Sequence, residues 1–485
     1  MKDNHLKETA VKRAAEYREM AGEDPYRLHF HLMPPVGLMN DPNGLVFFQG
    51  KYHFFYQWNP FETAHGVKFW GHYVSDNLVY WEEAPVALAP DQWYDRNGCY
   101  SGSAVVHEDQ MYIFYTGNVR NDAGERESYQ CMAVSEDGVQ FDKKGPVINV
   151  PDGYTAHFRD PKVFKKGPRW YMVVGAQTVE EKGEVVLFSS DDLETWSFQG
   201  TLAGSDRSGL GSFGYMWECP DFFELNGEDI LLVSPQGLEP NGILYNNVYQ
   251  SGYFAGKADL ERVSYPHGGF TELDRGFDFY APQTMLDGNG RRLLVGWMGS
   301  ADEGSTSHPT THHGWVHAMT IPRVLEWENG RLLQQPAEEL KQLRGNNREY
   351  RDVLVTDQQS FELPSSRDNV FELQVQVKSW DAASFSLTIG TNNQLIYREA
   401  TKTFTLERAN FEKPNVVERR HCALDELKEI RVFKDTSSLE IFLNGGEEVF
   451  TARVYDEAYD QLVSFHAEGD LKMDVAKWDL GRILL

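Results

Sequence analysis

Three carboxylates stand at matching places in short, otherwise apolar segments: Asp41 in MNDPNGLVFF, Asp160 in FRDPKVF and Glu218 in WECPDFFEL. Ser101 in YSGSAVV and Tyr280 in FYAPQTML hold the same place in two more, and the five positions are 60, 59, 58 and 62 residues apart. Singly, each Asp is ordinary turn chemistry, because an Asx side chain caps its own backbone. Recurrence at one phase of a repeat needs another reason. Carboxylates that converge in a shared cavity repel and raise one another's pKa, which a fold avoids unless the arrangement is used. A pair of them can serve a glycosidic bond, one holding a proton for the leaving group and the other ionised to attack. Nearby in sequence are the amides Asn40, Asn43 and Gln57 and the aromatics Phe30, Tyr56, Trp58, Trp70, Tyr100, Tyr215, Trp217 and Trp297. Flat apolar faces and planar hydrogen-bonding groups suit a sugar ring, with its C–H faces and hydroxyl edges. Core packing accounts for most of these aromatics one at a time; together they point to a carbohydrate pocket.

The elements that must position these groups repeat with a period of about sixty. Five apolar segments, KYHFFYQ from Lys51, QMYIFYT from Gln110, RWYMVVG from Arg169, DILLVSP from Asp229 and RRLLVGW from Arg291, start 59, 59, 60 and 62 residues apart. Each follows another short apolar run across a polar hairpin. SDNLVYW, SEDGVQF and SDDLETW echo later in the first three units. Strands repeated five times without a helical period between them predict an all-β fold, a five-bladed β-propeller over residues 28–335, whose first strands line a central channel. Residues 1–27 read as an exposed helical extension, and residues 336–354 as a linker with a short helix in PAEELKQLR, Pro at its start and Gly345 beyond its end. Apolar and polar residues then alternate in FELQVQV, SFSLTIG, TFTLERA and LEIFLNGGEEVFTARVY, which predicts a β-sandwich over residues 355–485.

Composition removes several other roles. A chain of 485 residues with 46 Lys plus Arg against 73 Asp plus Glu carries a formal charge of −27, which repels nucleic acid and anionic lipid. The first twenty-four residues have no apolar core of a secretory signal, and no run approaches the ~20 apolar residues that span a bilayer. A cytoplasmic protein is expected, with a small sugar as its partner, and neither nucleic acid nor membrane. Cys99, Cys131, Cys219 and Cys422 are widely spaced, so reduced thiols are expected rather than a zinc knuckle or disulfide scaffold. His308, His312, His313 and His317 fall in a Thr-, Gly- and Pro-rich stretch that reads as a loop, not a metal-binding helix. No metal or other cofactor is expected.

The motifs carry a specific resemblance. HLMPPVGLMNDPNG (His31 to Gly44), FRDP (Phe158 to Pro161) and WECPD (Trp217 to Asp221) resemble the three signatures of glycoside hydrolase family 32, the invertase and fructosidase family. WGHYVSDNLVYW, YSGSA and MTIPR extend the likeness, and DTSSLEIFLNGGEEVFTARVY resembles that family's sandwich module. The resemblance implies a propeller joined to a sandwich and a retaining β-fructofuranosidase, with Asp41 as nucleophile, Glu218 as acid and base, and Asp160 holding fructose hydroxyls. It places Asn40, Gln57, Ser101, Arg159 and Trp297 around the fructose, and from the aromatic set Trp70 and Tyr100 are expected as further substrate contacts. Arg159 is expected to keep its neighbour Asp160 ionised. Leu38 stands where many members have Trp, so one aromatic wall is expected to be missing. His65-Gly66-Val67-Lys68 is similar to the form in intracellular sucrose-6-phosphate hydrolases, and His65 and Lys68 at the rim are the expected phosphate contacts. Sucrose 6-phosphate or sucrose is the implied substrate. A fructan hydrolase or fructosyltransferase uses the same carboxylates, and a carbohydrate-binding protein without catalysis would have no use for all three.

Overall fold

Each of the five repeated apolar segments is the second strand of a blade. The computed structural model of the chain describes residues 2–300, 308–364, 370–456 and 462–483. The innermost strands are Gly37–Phe48, Cys99–His107, Tyr154–Lys166, Met216–Leu225 and Tyr280–Leu286. Their antiparallel neighbours are Lys51–Asn59, Gln110–Arg120, Arg169–Thr178, Glu228–Gln236 and Arg292–Met298. These second strands are covered on both faces by adjoining blades, so they read as continuous apolar runs: Val173, Val174, Leu231, Leu232 and Leu294 are all fully buried. The echoed Ser-Asp/Asn motifs are the turns after the third strands. In each, the acid or amide two residues after the serine accepts two backbone N–H groups, as Asp137 does from Val139 and Gln140 and Asp192 from Glu194 and Thr195. The ring closes where Trp315–Val316 pairs in parallel with Gly37 and Leu38 of the first blade.

The segment after the propeller is shorter in helix and richer in strand than its sequence implies. A 3-10 helix spans Glu338–Leu343, and the chain continues at once into the strand Arg344–Val355, half of what reads as linker. That strand is mostly exposed, so it lacks the alternation that marks a half-buried strand. It pairs with Val463–Leu480, which also runs along Phe371–Ile389; these two long strands tie ten strands into a β-sandwich around an apolar core.

A buried ionic chain joins propeller to sandwich. Arg323, fully buried, donates to Asp274 at 3.1 Å and to Glu440 of the sandwich at 2.6 Å. His31 lies between Asp435 at 2.8 Å and Glu440 at 2.9 Å. The helix Lys2–Gly22 packs Ala10, Ala14 and Ala21 into an apolar cluster that also holds Trp58 of the propeller and Phe433 and Phe442 of the sandwich, and Asp24 after it accepts from Trp315 Nε1 at 2.7 Å. Burial alone would push the His31 pKa down; the two carboxylates overcome it and hold it up. Against burial, His31 and the N–H groups of His29 and Phe30 hold Asp435 down at about 2. His31→Phe is therefore expected to cost about 3–5 kcal/mol, the penalty of leaving buried charges unpaired. The stabilisation from His31 is complete below its ordinary pKa of ~6.5 and is lost as pH rises through the folded value. That from Asp435 is present above ~3.9 and is lost as pH falls toward its folded value. Urea unfolding of His31→Phe between pH 4 and 9 checks this: the deficit should be largest at about pH 4–6.5 and shrink on the alkaline side.

Candidate active site

Every innermost strand carries a β-bulge against its second strand at the same place. Between Met39 and Pro42, Tyr100 and Gly102, Arg159 and Lys162, Glu218 and Asp221, and Tyr280 and Gln283, the pairing register slips. The bulged residues are Asp41, Ser101, Asp160, Cys219 and Ala281, and all but Ser101 precede a proline. Asp160, Cys219 and Ala281 have φ of 67°, 49° and 48°, left-handed values that L-residues tolerate mainly where the surroundings impose them. One residue nearer the mouth is a second ring, Asn40, Tyr100, Arg159, Glu218 and Tyr280, whose members all line one cavity of about 590 Å³. Glu218 therefore does not share its phase with Asp41 and Asp160, as the sequence spacing suggests; its true counterparts are Asn40 and Arg159. A bulge re-aims side chains on both sides of it, so residues of adjacent phase still converge.

The Asp41 carboxylate accepts from Asn40 Nδ2 at 3.1 Å, from Gln57 Nε2 at 3.4 Å and from the Ser101 hydroxyl. Asp160 accepts the Cys219 N–H at 3.0 Å. The Cys219 thiol lies between the two acids, 3.5 Å from Asp160 and 3.9 Å from Asp41, which binds these carboxylates to one spot. Glu218 receives Arg159 Nε and Nη2 at 2.9 and 2.6 Å on one oxygen, and Gln236 Nε2 at 2.9 Å and the Tyr280 hydroxyl at 2.6 Å on the other. Burial raises the Asp41 pKa; the Ser101 hydrogen bond opposes that and the Glu218 charge adds to it. Burial also lifts Asp160, to about 7, with Arg159 opposing and the charges of Glu218 and Asp41 adding. Arg159 hydrogen-bonds Glu218 and not Asp160, because the left-handed backbone at Asp160 turns the neighbouring side chains apart. The expectation that Arg159 keeps Asp160 ionised is thus corrected: its charge opposes the rise but does not overcome burial.

Lys68 is not at a solvated rim. It is 3 % exposed, its ammonium donates to Asn40 Oδ1 at 2.7 Å and to His65 Nδ1 at 3.2 Å, and burial pulls its pKa down to about 7. It holds the amide that holds Asp41, while His65 is exposed at the cavity mouth beside Trp297. Lys68 in its charged form lowers the Asp41 pKa. Lys68→Met should then move the acid limb of the kcat/KM profile to higher pH, since Asp41 must be ionised to attack, and should lower the maximal rate about tenfold through the loosened Asn40. An acid limb that stays in place would show that Lys68 does not act on Asp41.

Trp70 is fully buried, packs on Phe55 and Tyr115, and donates from Nε1 to the Tyr100 carbonyl at 3.1 Å; it braces the strand instead of lining the cavity. Phe30, Tyr56, Trp58 and Trp217 are likewise core. Leu38 is fully buried in the pairing with Val316 and does not line the cavity. Tyr100 and Trp297 do line the cavity, and the buried Trp297 Nε1 has no protein partner, a donor that a sugar hydroxyl could engage. His313 and His317 do not share a helix: the 3-10 turn Pro309–His313 ends at Gly314 in a left-handed conformation, and His317 packs on Trp297. Gln236, Tyr280, Asn118, Arg96, Arg120 and Arg126 line the cavity without having been singled out as ligands. A signal existed for the amides, because Asn118, Gln177 and Gln236 are spaced 59 and 59 at the ends of successive second strands.

This ring of carboxylates on a propeller has known counterparts. Residues 31–336 match the profile of the glycosyl hydrolases family 32 N-terminal domain, and residues 339–479 that of the family 32 C-terminal domain. The chain belongs to glycosyl hydrolase family 32. Among family relatives, sucrose-6-phosphate hydrolases of Bacillus subtilis and Klebsiella pneumoniae are 48% and 42% identical, the matches covering 99% and 91% of this chain and of theirs. The sucrose-6-phosphate hydrolase structure from Lactobacillus gasseri superposes with a TM-score of 0.88 at 31% identity, over 98% of this chain and 97% of that one. A Bombyx mori family 32 β-fructofuranosidase mutant solved with sucrose gives 0.84 at 34%, over 100% and 99%. The five-bladed propeller and β-sandwich are the architecture of the family, and this family 32 chain is a glycosidase. Among the described residues no helix is long and apolar enough to cross a membrane.

Proposed function

We propose that the protein hydrolyses the β-fructofuranosyl bond of sucrose 6-phosphate, and of sucrose more slowly, with retention of configuration. The observation that carries this is the convergence of Asp41 and Glu218 on one cavity, each held by its own set of donors. Asp41 attacks the anomeric carbon of the fructosyl unit as its bond to the glucosyl oxygen breaks, and Glu218 passes a proton to that oxygen. Asp160 accepts hydrogen bonds from fructose hydroxyls, with Gln57, Asn40 and Trp297 around the ring. Water then gives a proton to Glu218 and its oxygen to the anomeric carbon, releasing Asp41. Arg159 and Tyr280 fix the Glu218 carboxyl between leaving group and water. The names of the relatives support the phosphorylated substrate, and a sugar phosphate formed inside the cell supports a reaction there.

Turnover of sucrose 6-phosphate, sucrose and inulin by the purified protein tests the reading. The expected order is the phosphorylated disaccharide first and inulin last, with the β-anomer of fructose released initially. Fastest turnover of inulin would favour a fructan hydrolase, and oligofructoside products from sucrose a fructosyltransferase.

A further inference from the structure

We propose that Arg96, Arg120 and Arg126 form a phosphate-binding wall on the leaving-group side of the cavity. This deepens the fructosidase reading and rests on it. All three line the cavity. Arg120 and Arg126 end adjacent strands of the second blade and are directly paired across them, the placement in which like charges destabilise a sheet. Arg96 Nη2 donates to the Arg120 carbonyl at 2.5 Å, which brings a third guanidinium to the same edge. In a chain of formal charge −27, nearby carboxylates could have neutralised them. They are engaged elsewhere: Asn121 donates to Glu125 and Glu127 at 3.0 and 3.3 Å, and the Tyr129 hydroxyl to Glu127 at 2.9 Å. Asp122 approaches only Arg96, at 3.7 Å and from full exposure. The contacts of Arg120 and Arg126 are to the Gly124 carbonyl and His157, so their charge is left facing the cavity.

The position of the wall follows from a chain of contacts that starts at Glu218. Arg159 bridges from Glu218 to His157 Nδ1 at 3.0 Å, and Arg126 reaches the same nitrogen at 3.5 Å. Burial, helped by both guanidinium charges, pushes the His157 pKa to about 4, so near neutrality the ring is an acceptor between two cations. The group that protonates the departing oxygen is thus linked through Arg159 and His157 to the guanidinium edge, while Asn40, Gln57 and Asp41 form the fructose side. A phosphate monoester on the leaving sugar would meet planar forks that bind it through paired, charge-assisted hydrogen bonds. Lys68 lies on the fructose side with its ammonium committed to Asn40 and His65.

The test is the ratio of kcat/KM for sucrose 6-phosphate to that for sucrose, measured in the wild type, Arg126→Gln, Arg120→Gln/Arg126→Gln and His65→Gln. The ratio should fall about 30-fold or more in Arg126→Gln, the size of losing charge-assisted hydrogen bonds, and approach one in the double variant. Glucose 6-phosphate should compete better than glucose or inorganic phosphate with the wild type and lose that advantage in the double variant. A wild-type preference that survives in the arginine variants overturns the wall while the substrate reading stands. A preference abolished by His65→Gln alone moves the phosphate to the other rim and also overturns it. A wild-type ratio near one removes both. Should the double variant not fold, Arg120→Lys and Arg126→Lys, which keep charge but lose the fork, supply the same ratio.

Discussion

Asp41→Asn is expected to lower kcat by roughly 10⁴-fold or more with the fold unchanged, the usual scale for removing an attacking group. The amide is nearly isosteric, and the strand that carries it is fixed by the bulge pairing and by Gln57 and Ser101, so stability has little reason to change. An amide nitrogen or oxygen there cannot form the fructosyl ester. Asp160 is not expected to take over the attack, since the Cys219 N–H and thiol fix one of its oxygens away from the position of Asp41. Quenching the wild type during turnover and digesting it should yield a fructosylated peptide that contains Asp41, and the variant should yield none. Turnover within tenfold of wild type, or a label on Asp160, would assign the attack to a different group.

Glu218→Ala separates the two carboxylates by a different signature. Loss of the acid should slow hydrolysis of sucrose by about 10²–10⁴-fold, the usual share of a positioned general acid. With a fructosyl donor whose leaving group needs no proton, the first step survives and the fructosyl ester accumulates. Azide, an anion that attacks without a general base, should then restore turnover and give fructosyl azide with β configuration. Asp41→Asn should show no such rescue, since it never forms the ester. Rescue with inverted configuration would mean direct displacement and would remove the covalent mechanism. The vacated site leaves Arg159, Gln236 and Tyr280 without their acceptor, so a small loss of stability accompanies the change.

The architecture was readable because a propeller's second strands are buried on both faces, which makes them the most apolar and evenly spaced segments of the chain. Asp41, Asp160 and Glu218 were legible through their motifs. The offset of one residue between Glu218 and the two aspartates was not, because a bulge adds a residue to one strand without changing its composition. Trp70 illustrates a different limit: an indole beside a polar motif reads equally as wall or brace, and only the strand pairing decides. Lys68 reads as a rim cation because the residues just before it are exposed, whereas it stands at the entry to the strand Phe69–Ser75, where a continuous buried run begins. Arg120 and Arg126 carry no signal for the converse reason, since charged residues at a hairpin end are the ordinary composition of a solvated turn.

The ionic chain through Arg323, Glu440, His31 and Asp435 also bears on why the catalytic ring carries a companion at all. His31 of the propeller finds its counter-charges in Asp435 and Glu440 of the sandwich, and Arg323 shares its charge between Asp274 of the propeller and Glu440 of the sandwich. Severing the chain at the junction would strip those anions away and open a cationic seam to water. The sandwich is therefore not a detachable appendage but the missing half of the propeller's own interior, and the two are expected to live and die as one cooperative body.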